Sequence, residues 1–319
     1  VQLVDVKKTK DGYEFGFDKL DRWIDMCRRC GIKYFEMSHL FTQWGAEHAP
    51  KIVAEVDGEK KRIFGWETDA DSEEYRDFLH RFAAALTAFI DRKGIINFCR
   101  FHVSDEPSLE QYEVYKKRAD LIAEIFPGFK VIDALSDIEF FDKGAVKYPI
   151  PSEDHVEDFV GKVDEFWTYY CCGQHNKNVP NRFFAMPSAR NRILGTLLYK
   201  YNATGFLQWG YNYWYSQFSK HEIDPFTVTD AGKAFPSGDA FVVYPGEDGQ
   251  PINSLRFKVF YDGLQDLAAM RLLESLVGRE KALEIAIQDD ELTFQKYPHG
   301  SSYLLALRGR VNKAIKENI

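Results

Sequence analysis

The sequence lacks both a long hydrophobic run and a concentration of basic side chains. No uninterrupted apolar stretch approaches the roughly 20 residues that a membrane-spanning helix requires, so we expect no membrane span. The chain has 319 residues, of which 41 are basic and 49 acidic, and its formal net charge is -8. Because no stripe rich in lysine and arginine is present to neutralise a phosphate backbone, nucleic acid is not an expected partner.

Cysteine is also scarce, with five residues in the whole chain. Cys27 and Cys30 form a C-x-x-C pair, but no second pair and no histidine pair follows at the spacing of a zinc finger. Cys171 and Cys172 are neighbours, and a disulfide between adjacent cysteines is strained. The sequence therefore predicts no disulfide framework, no bound metal and no cofactor.

What the chain does contain is an alternation of short β-rich runs with helical patterns. After Tyr75, apolar residues recur at the spacing of one buried helix face. A capping box formed by Ser108 and Gln111 predicts the start of another helix. The expected strands cover residues 33–38, 95–103, 129–135, 146–150, 163–170 and 205–214. This alternation is typical of parallel strands joined by helices, and it predicts an α/β fold.

Six strands are two fewer than a closed (β/α)8 barrel of the TIM type needs, and we expect the missing ones to precede Val1. A short β segment and helices should follow the last barrel strand. The prediction is thus a single catalytic barrel domain over residues 1–319, forming a C-terminal portion of a longer protein.

Two adjacent carboxylates follow the expected strand from Phe98 to Val103, in the run Ser104-Asp105-Glu106-Pro107. Side chains at the C-terminal ends of barrel strands are where enzymes of this fold carry out their chemistry. Two close carboxylates do not both ionise easily, so one of them keeps a proton toward neutral pH, which suits acid catalysis. The same four residues are also typical of a helix start, and the motif alone leaves that alternative open.

Several further motifs accompany the acidic pair along the chain. They are Trp167-Thr168-Tyr169, Arg192-Ile193-Leu194-Gly195, the aromatic run from Gly205 to Trp214, Val243-Tyr244-Pro245-Gly246, Ser254-Leu255-Arg256 and Asp262-Gly263-Leu264. Together with Asp105-Glu106-Pro107 they resemble the catalytic domain of glycoside hydrolase family 123, the β-N-acetylgalactosaminidases and related proteins. The resemblance runs from about Phe17 to Glu274.

The resemblance implies a retaining, substrate-assisted hydrolysis of β-N-acetylhexosaminides, in particular of N-acetylgalactosamine. In such a reaction the 2-acetamido oxygen of the sugar attacks its own anomeric carbon. Glu106 would protonate the leaving oxygen and later deprotonate water, while Asp105 would hold the acetamido N–H. An extracytoplasmic location, periplasmic or secreted, is implied by the resemblance alone.

The resemblance also implies which side chains bind the carbohydrate substrate. Tyr169 would donate a hydrogen bond to the acetamido oxygen. Trp209 and Trp214 would pack on the sugar, and Asn212 would read a hydroxyl. His39, at the end of an expected strand, could point into the same mouth of the barrel. The sequence makes no prediction of the oligomeric state.

Two alternatives remain open at this stage. The first is a two-carboxylate glycosidase of another specificity, in which Glu36, Asp133 or Glu165 supplies the second acid. The second is a glycan-binding protein without turnover. Tight inhibition by a thiazoline mimic of the cyclised sugar would separate the substrate-assisted enzyme from the first alternative, and sugar binding without product over a long incubation would indicate the second.

Overall fold

The computed structural model describes residues 2–288 and 291–319 and has a mixed α/β composition. The chain divides into two compact units, Val1–Pro149 and Ile150–Ile319. In the described part of the chain, each helix is too short or too polar to cross a membrane. The predicted α/β class is therefore confirmed.

The first unit contains two four-stranded sheets and their helices. Its strands are β1 (Asp5–Thr9), β2 (Gly12–Gly16), β3 (Phe35–Glu36), β4 (Ile52–Val56), β5 (Glu59–Phe64), β6 (Cys99–Phe101), β7 (Lys130–Ala134) and β8 (Tyr148–Ile150), within which the boundary between the units falls. Its helices are α1 (Asp18–Arg29), α2 (Glu73–Lys93), α3 (Tyr112–Ile125) and α4 (Glu139–Asp142). One sheet has the order β2-β1-β4-β5, and the other has the order β3-β6-β7-β8.

The longest helix of this unit, α2, buries an apolar stripe against the β2-β1-β4-β5 sheet. Phe78, in that stripe, makes an edge contact with the ring of Tyr13 in β2, with 5.0 Å between the ring centroids. Tyr75 and Phe78 are both buried. The helix ends at Gly94, whose φ of 68° is a left-handed conformation that glycine adopts without strain. The helix that the sequence predicts after Tyr75 is thus confirmed, together with its packing on a sheet.

The second sheet of the first unit carries the acidic pair. Its strands β3, β6 and β7 run parallel, with Phe35 opposite Cys99 and Arg100 opposite Lys130. All three residues of β6 are buried. The helix after β6 begins at the predicted capping box, in which Gln111 Oε1 accepts the Ser108 N–H at 2.9 Å. This part of the fold has the β/α alternation that the sequence predicts.

The second unit is mainly helical. Its strands are β9 (Trp167–Tyr169), β10 (Gly205–Leu207), β11 (Val243–Pro245) and β12 (Pro251–Asn253), and its helices are α5 (Ser188–Arg192), α6 (Leu194–Lys200), α7 (Leu255–Val277), α8 (Arg279–Ala286) and α9 (Ser301–Asn318). The pair β9 and β10 is parallel, and β11 and β12 form an antiparallel hairpin. This hairpin and the helices after it agree with the predicted C-terminal β segment and helices.

Close helix packing fixes the centre of the second unit. A Cβ atom on Gly195 in α6 would lie 1.8 Å from the carbonyl oxygen of Gly263 in α7, so only glycine fits there. One turn away, Arg192 Nε donates to the buried carboxylate of Asp266 at 2.7 Å. Arg308 in α9 donates to the same carboxylate at 2.8 Å. A buried charge with two arginine partners therefore joins three helices.

A closed TIM barrel is not confirmed by the strand topology. Among residues 2–288 and 291–319, the strands lie in four separate sheets rather than in one ring. The expected strand over residues 205–214 is reduced to β10, because the chain beyond Leu207 leaves β9 and Asn212 instead forms an isolated bridge with Phe241. Strands before Val1 would lie outside the described residues, and the single catalytic domain stays a prediction.

Candidate active site

The acidic pair lies in a bend of the chain four residues beyond the end of the buried strand β6, and this bend is called the turn below. Asp105 is partly buried and Glu106 is exposed. Glu106 has a φ of 45°, in the left-handed region that residues other than glycine seldom occupy. On a regular strand the two side chains would point to opposite faces. The turn removes that alternation, which is the condition for neighbouring acids to reach one ligand.

Backbone hydrogen bonds hold this turn from two sides. The Trp44 N–H donates to the Asp105 carbonyl at 3.1 Å, and the Glu106 N–H donates to the Ala134 carbonyl at 2.9 Å. Trp44 follows β3, and Ala134 ends β7. The neighbours of β6 in the sheet therefore fix the turn that carries both carboxyl groups.

The helix start that follows does not use the acidic pair as its cap. Ser108 and Gln111 form the capping box, two residues beyond Glu106. The interpretation of the motif as a plain helix start thus applies to Ser108. Asp105 and Glu106 are left to another role.

Burial, together with the charges of Glu106 and Asp133, raises the pKa of Asp105 to about 7, while His102 acts in the opposite direction. Near neutral pH much of Asp105 therefore still holds its proton. A protonated Asp105 beside the exposed Glu106 gives the pair a proton to donate.

Two histidines and a buried carboxylate form a cluster near Asp105. His102 is buried, its Nδ1 lies 3.3 Å from Asp133 Oδ1, and its Nε2 lies 3.8 Å from Glu36 Oε2. The ring of His39 lies 4.5 Å from that of His102, between centroids. Burial alone would lower the pKa of His102, but Asp133 and Glu36 raise it to about 10. Burial and the His102 charge lower the pKa of His39 to about 4.

Three of these residues present metal-ligating atoms within 4.8 Å of one another, namely His39, His102 and Asp133. Asp133, however, already accepts the Val103 N–H and the Tyr115 hydroxyl. A neutral His39 beside a charged His102 is a further arrangement that needs no ion. The absence of a bound metal stays a prediction.

The other residues selected from the sequence belong to the second unit. Tyr169 ends β9, is buried, and its N–H donates to the Pro151 carbonyl at 3.1 Å. Asn212 is exposed, and Trp214 is half-buried with its Nε1 donating to the Val243 carbonyl at 3.0 Å. The turn after β10 thus presents one amide and one anchored indole.

Trp209 has the most open aromatic surface of the selected residues. It is 41 % exposed, although its Nε1 donates to Asp239 Oδ2 at 3.2 Å. Its ring makes edge contacts with Tyr213 and Phe235, at 5.2 and 5.1 Å between centroids. An indole held by its N–H and by its edges can offer a face to a pyranose ring.

Sequence reasoning missed Asp239, which anchors Trp209. Asp239 is fully buried, and burial raises its pKa to about 6, although Arg182 and Trp209 oppose this shift. Arg182 donates to the Asp239 backbone carbonyl at 2.8 Å. Asp239 follows Ser237-Gly238, and this sequence context is common in loops and does not indicate a functional side chain. Its distance of 30 residues from Trp209 left no local pattern to find.

The comparisons with known proteins agree with the motifs. The family model for "Glycoside hydrolase 123, catalytic domain" matches residues 1–273. The chain is similar in structure to a family 123 glycoside hydrolase from Clostridium perfringens, whose description concerns glycolipid glycan hydrolysis, with a TM-score of 0.68 and 17% sequence identity. The match covers 99% of this chain and 57% of that one, so the chain spans little more than half of that structure. No curated protein matches the chain.

Proposed function

The chain belongs to glycoside hydrolase family 123, and from this membership we propose that it is the catalytic part of a retaining β-N-acetylhexosaminidase that works by substrate-assisted catalysis. The expected sugar is N-acetylgalactosamine. Because the similar protein from Clostridium perfringens is described with glycolipid glycans, the glycan of a glycolipid is the proposed substrate class.

The observation that carries the proposal is the adjacency of Asp105 and Glu106 in a turn with a left-handed Glu106. A two-carboxylate glycosidase needs its acids on opposite sides of the bond, roughly 5 to 9.5 Å apart, which usually takes two strands. When the sugar supplies its own nucleophile, the two acids serve one face of the sugar, and neighbouring positions suit that task.

The proposed roles follow from the proton of Asp105. In the free protein the raised pKa of Asp105, about 7, keeps that proton on much of Asp105 near neutral pH. When the acetamido N–H of a sugar donates to Asp105, it stabilises the carboxylate form there, and Asp105 releases its proton. This proton passes to the neighbouring Glu106, which gives it to the leaving oxygen. After cyclisation Glu106 removes a proton from the attacking water.

The remaining contacts are proposed from the motifs that the chain shares with the family. By this resemblance Tyr169 donates to the acetamido oxygen and aligns it for attack. Trp209 stacks on the sugar, and Asn212 and Trp214 contact its hydroxyl groups and its ring. His39, which lies beside His102, contacts a hydroxyl as a neutral imidazole.

The test compares Glu106→Gln with Glu110→Gln, because Glu110 is an exposed acid four residues further along. With an alkyl β-N-acetylgalactosaminide, whose leaving group is poor, Glu106→Gln should lower kcat by about 10²- to 10⁴-fold. With an aryl glycoside whose leaving group needs no proton the loss should be much smaller. Glu110→Gln should match the parent. An alkyl glycoside cleaved at the parent rate by Glu106→Gln would show that another group is the acid.

A thiazoline mimic of the cyclised sugar separates the proposal from the alternatives. It should inhibit tightly if the acetamido group attacks, and weakly if a protein carboxylate does. Asp133, one candidate for such a carboxylate, is fully buried, which argues against a role as nucleophile. Sugar binding without any product over a long incubation would instead favour a glycan-binding protein.

A further inference from the structure

Asp133 is a buried carboxylate that the proposed reaction does not use. It lies in β7 and has no exposed surface. Its two oxygens accept the Val103 N–H at 3.1 and 3.0 Å, and Oδ2 also accepts the Tyr115 hydroxyl at 2.6 Å. Acceptance from several donors is the pattern of a carboxylate in a site built for it, since a buried charge is costly without partners.

His102 supplies a positive partner to this carboxylate. The imidazole Nδ1 lies 3.3 Å from Asp133 Oδ1, and the side chain of His102 is 5% exposed. On its other side, Nε2 faces Glu36 at 3.8 Å, and the His39 ring packs against it. His102 is thus held between two carboxylates.

Asp133 and the residue after it hold both ends of the turn that bears the acidic pair. The Asp133 side chain accepts the N–H of Val103, two residues before Asp105. The carbonyl of Ala134 accepts the N–H of Glu106. The end of β7 therefore fixes the four residues from Val103 to Glu106, including the left-handed position.

We propose that Asp133, paired with His102, is a positioning residue for the acidic pair, which it serves by clamping the Val103–Glu106 turn and by placing a fixed negative charge next to Asp105. The inference rests on the proposed roles of Asp105 and Glu106. Neither Asp133 nor His102 needs to touch the sugar.

The charges around Asp105 give this arrangement a signature in pH. After burial, Glu106 and Asp133 raise the pKa of Asp105, and His102 lowers it. Loss of the Asp133 charge should therefore make Asp105 release its proton at lower pH. Loss of the His102 charge should make Asp105 release that proton at higher pH. A merely structural role would not move the two variants in opposite directions.

The test measures the pH dependence of kcat/KM for Asp133→Asn and His102→Gln with an aryl N-acetylgalactosaminide. The limb on which activity falls with rising pH should move down by roughly 0.5 to 1 unit in Asp133→Asn and up by a similar amount in His102→Gln. The kcat of Asp133→Asn should fall at least ~10-fold, with KM within ~3-fold, because the clamp acts on the reacting groups. Unmoved limbs in both variants would overturn the inference.

Asp266→Asn is the matched control, because Asp266 is an equally buried carboxylate with two arginine partners. It should lower thermal stability and leave the limb unmoved. If Asp133→Asn does not fold, His102→Gln decides alone, and an unmoved or lowered limb there contradicts the inference.

A measurement without turnover separates this inference from the proposed function. Carbon-13 NMR titration of the Asp105 carboxyl group should show a lower midpoint in Asp133→Asn than in the parent, and His102 should lose its proton at a lower pH than its parent value of about 10. If the parent cleaves no N-acetylhexosaminide, the proposed function fails, and these titrations still decide the role of Asp133. Stoichiometric metal in the parent that is lost in Asp133→Asn would overturn the inference in favour of a metal site.

Discussion

Replacing Asp105 by Asn should stabilise the folded protein, and the gain should depend on pH. In the folded protein burial and the neighbouring charges raise the pKa of Asp105 to about 7, against an ordinary value of 3.8. Since the folded carboxyl binds its proton more tightly than the unfolded one, folding stability falls as the pH rises between these two values. Above pH 7 the parent carries the whole cost of an ionised carboxylate in this environment.

The size of the cost follows from the displacement of the pKa. Each unit corresponds to about 1.4 kcal/mol, so the rise from 3.8 to about 7 amounts to roughly 4 kcal/mol at most. Asp105 is only partly buried, and solvent screens it, which reduces the expectation to about 2 to 4 kcal/mol at pH 8. At pH 4 the difference between the parent and Asp105→Asn should be close to zero.

Urea unfolding of the parent and of Asp105→Asn at a series of pH values between 4 and 8 measures this difference. Glu106→Gln provides an internal check, because removing the Glu106 charge lowers the pKa of Asp105. In that variant the loss of stability with rising pH should end at a lower pH than in the parent. A stability difference between parent and Asp105→Asn that is the same at pH 4 and pH 8 would refute the reasoning.

Three further outcomes are expected. The kcat/KM of the parent should fall as the pH rises through about 7, where Asp105 loses the proton that the proposed reaction uses, and a profile flat to pH 9 would contradict this assignment. Trp209→Ala should raise KM by about 10-fold, which equals about 1.4 kcal/mol of lost stacking. Trp209→Phe keeps an aromatic face, so its KM should rise less. A KM of Trp209→Ala equal to that of the parent in steady-state kinetics would contradict the stacking role. Gly195→Ala should lower the free energy of unfolding by about 1 to 3 kcal/mol or prevent folding, because the new Cβ would meet the Gly263 carbonyl. Gly309 lies on a helix with open space around it, so Gly309→Ala should instead raise the free energy of unfolding by about 0.5 to 1 kcal/mol. Thermal melts of both glycine variants measure the difference.

The parts of the fold that sequence reasoning found are those with a strong local signal. The helix after Tyr75 has a clear apolar stripe, and the capping box at Ser108 marks a helix start within four residues. The stretch that contains the buried strand β6 alternates apolar Cys99, Phe101 and Val103 with Arg100 and His102 before the acidic pair. In each case the residues that determine the element are neighbours in sequence.

The sheet β2-β1-β4-β5 was missed because its strands carry charge where an apolar alternation would be expected. The strand β5 begins Glu-Lys-Lys-Arg, and these four residues are all exposed. A sheet covered on one face and open to solvent on the other leaves little hydrophobic periodicity in such a strand. At residues 208–214 the sequence predicts a strand where the structure has a loop, because the aromatic residues there are of types that favour strands.

The candidate site was predictable only where its residues are contiguous. Asp105 and Glu106 are neighbours, so their pairing is visible in the sequence. Asp133 lies 30 residues from Val103, whose N–H it accepts. The sequence indicates Asp133 only as a possible second catalytic acid. Its burial and its partner His102 come from the parallel register of β6 and β7, which no local pattern encodes.

The left-handed backbone at Glu106 has a consequence for attempts to improve this protein. A residue other than glycine in that conformation lowers the stability of the fold by on the order of 1 kcal/mol, and glycine at this position would remove that strain. Directed evolution that rewards heat resistance alone would therefore favour glycine at position 106 and discard the proton donor of the proposed reaction. The natural chain keeps a conformationally expensive side chain there, and a screen for robust variants has to include turnover to retain it.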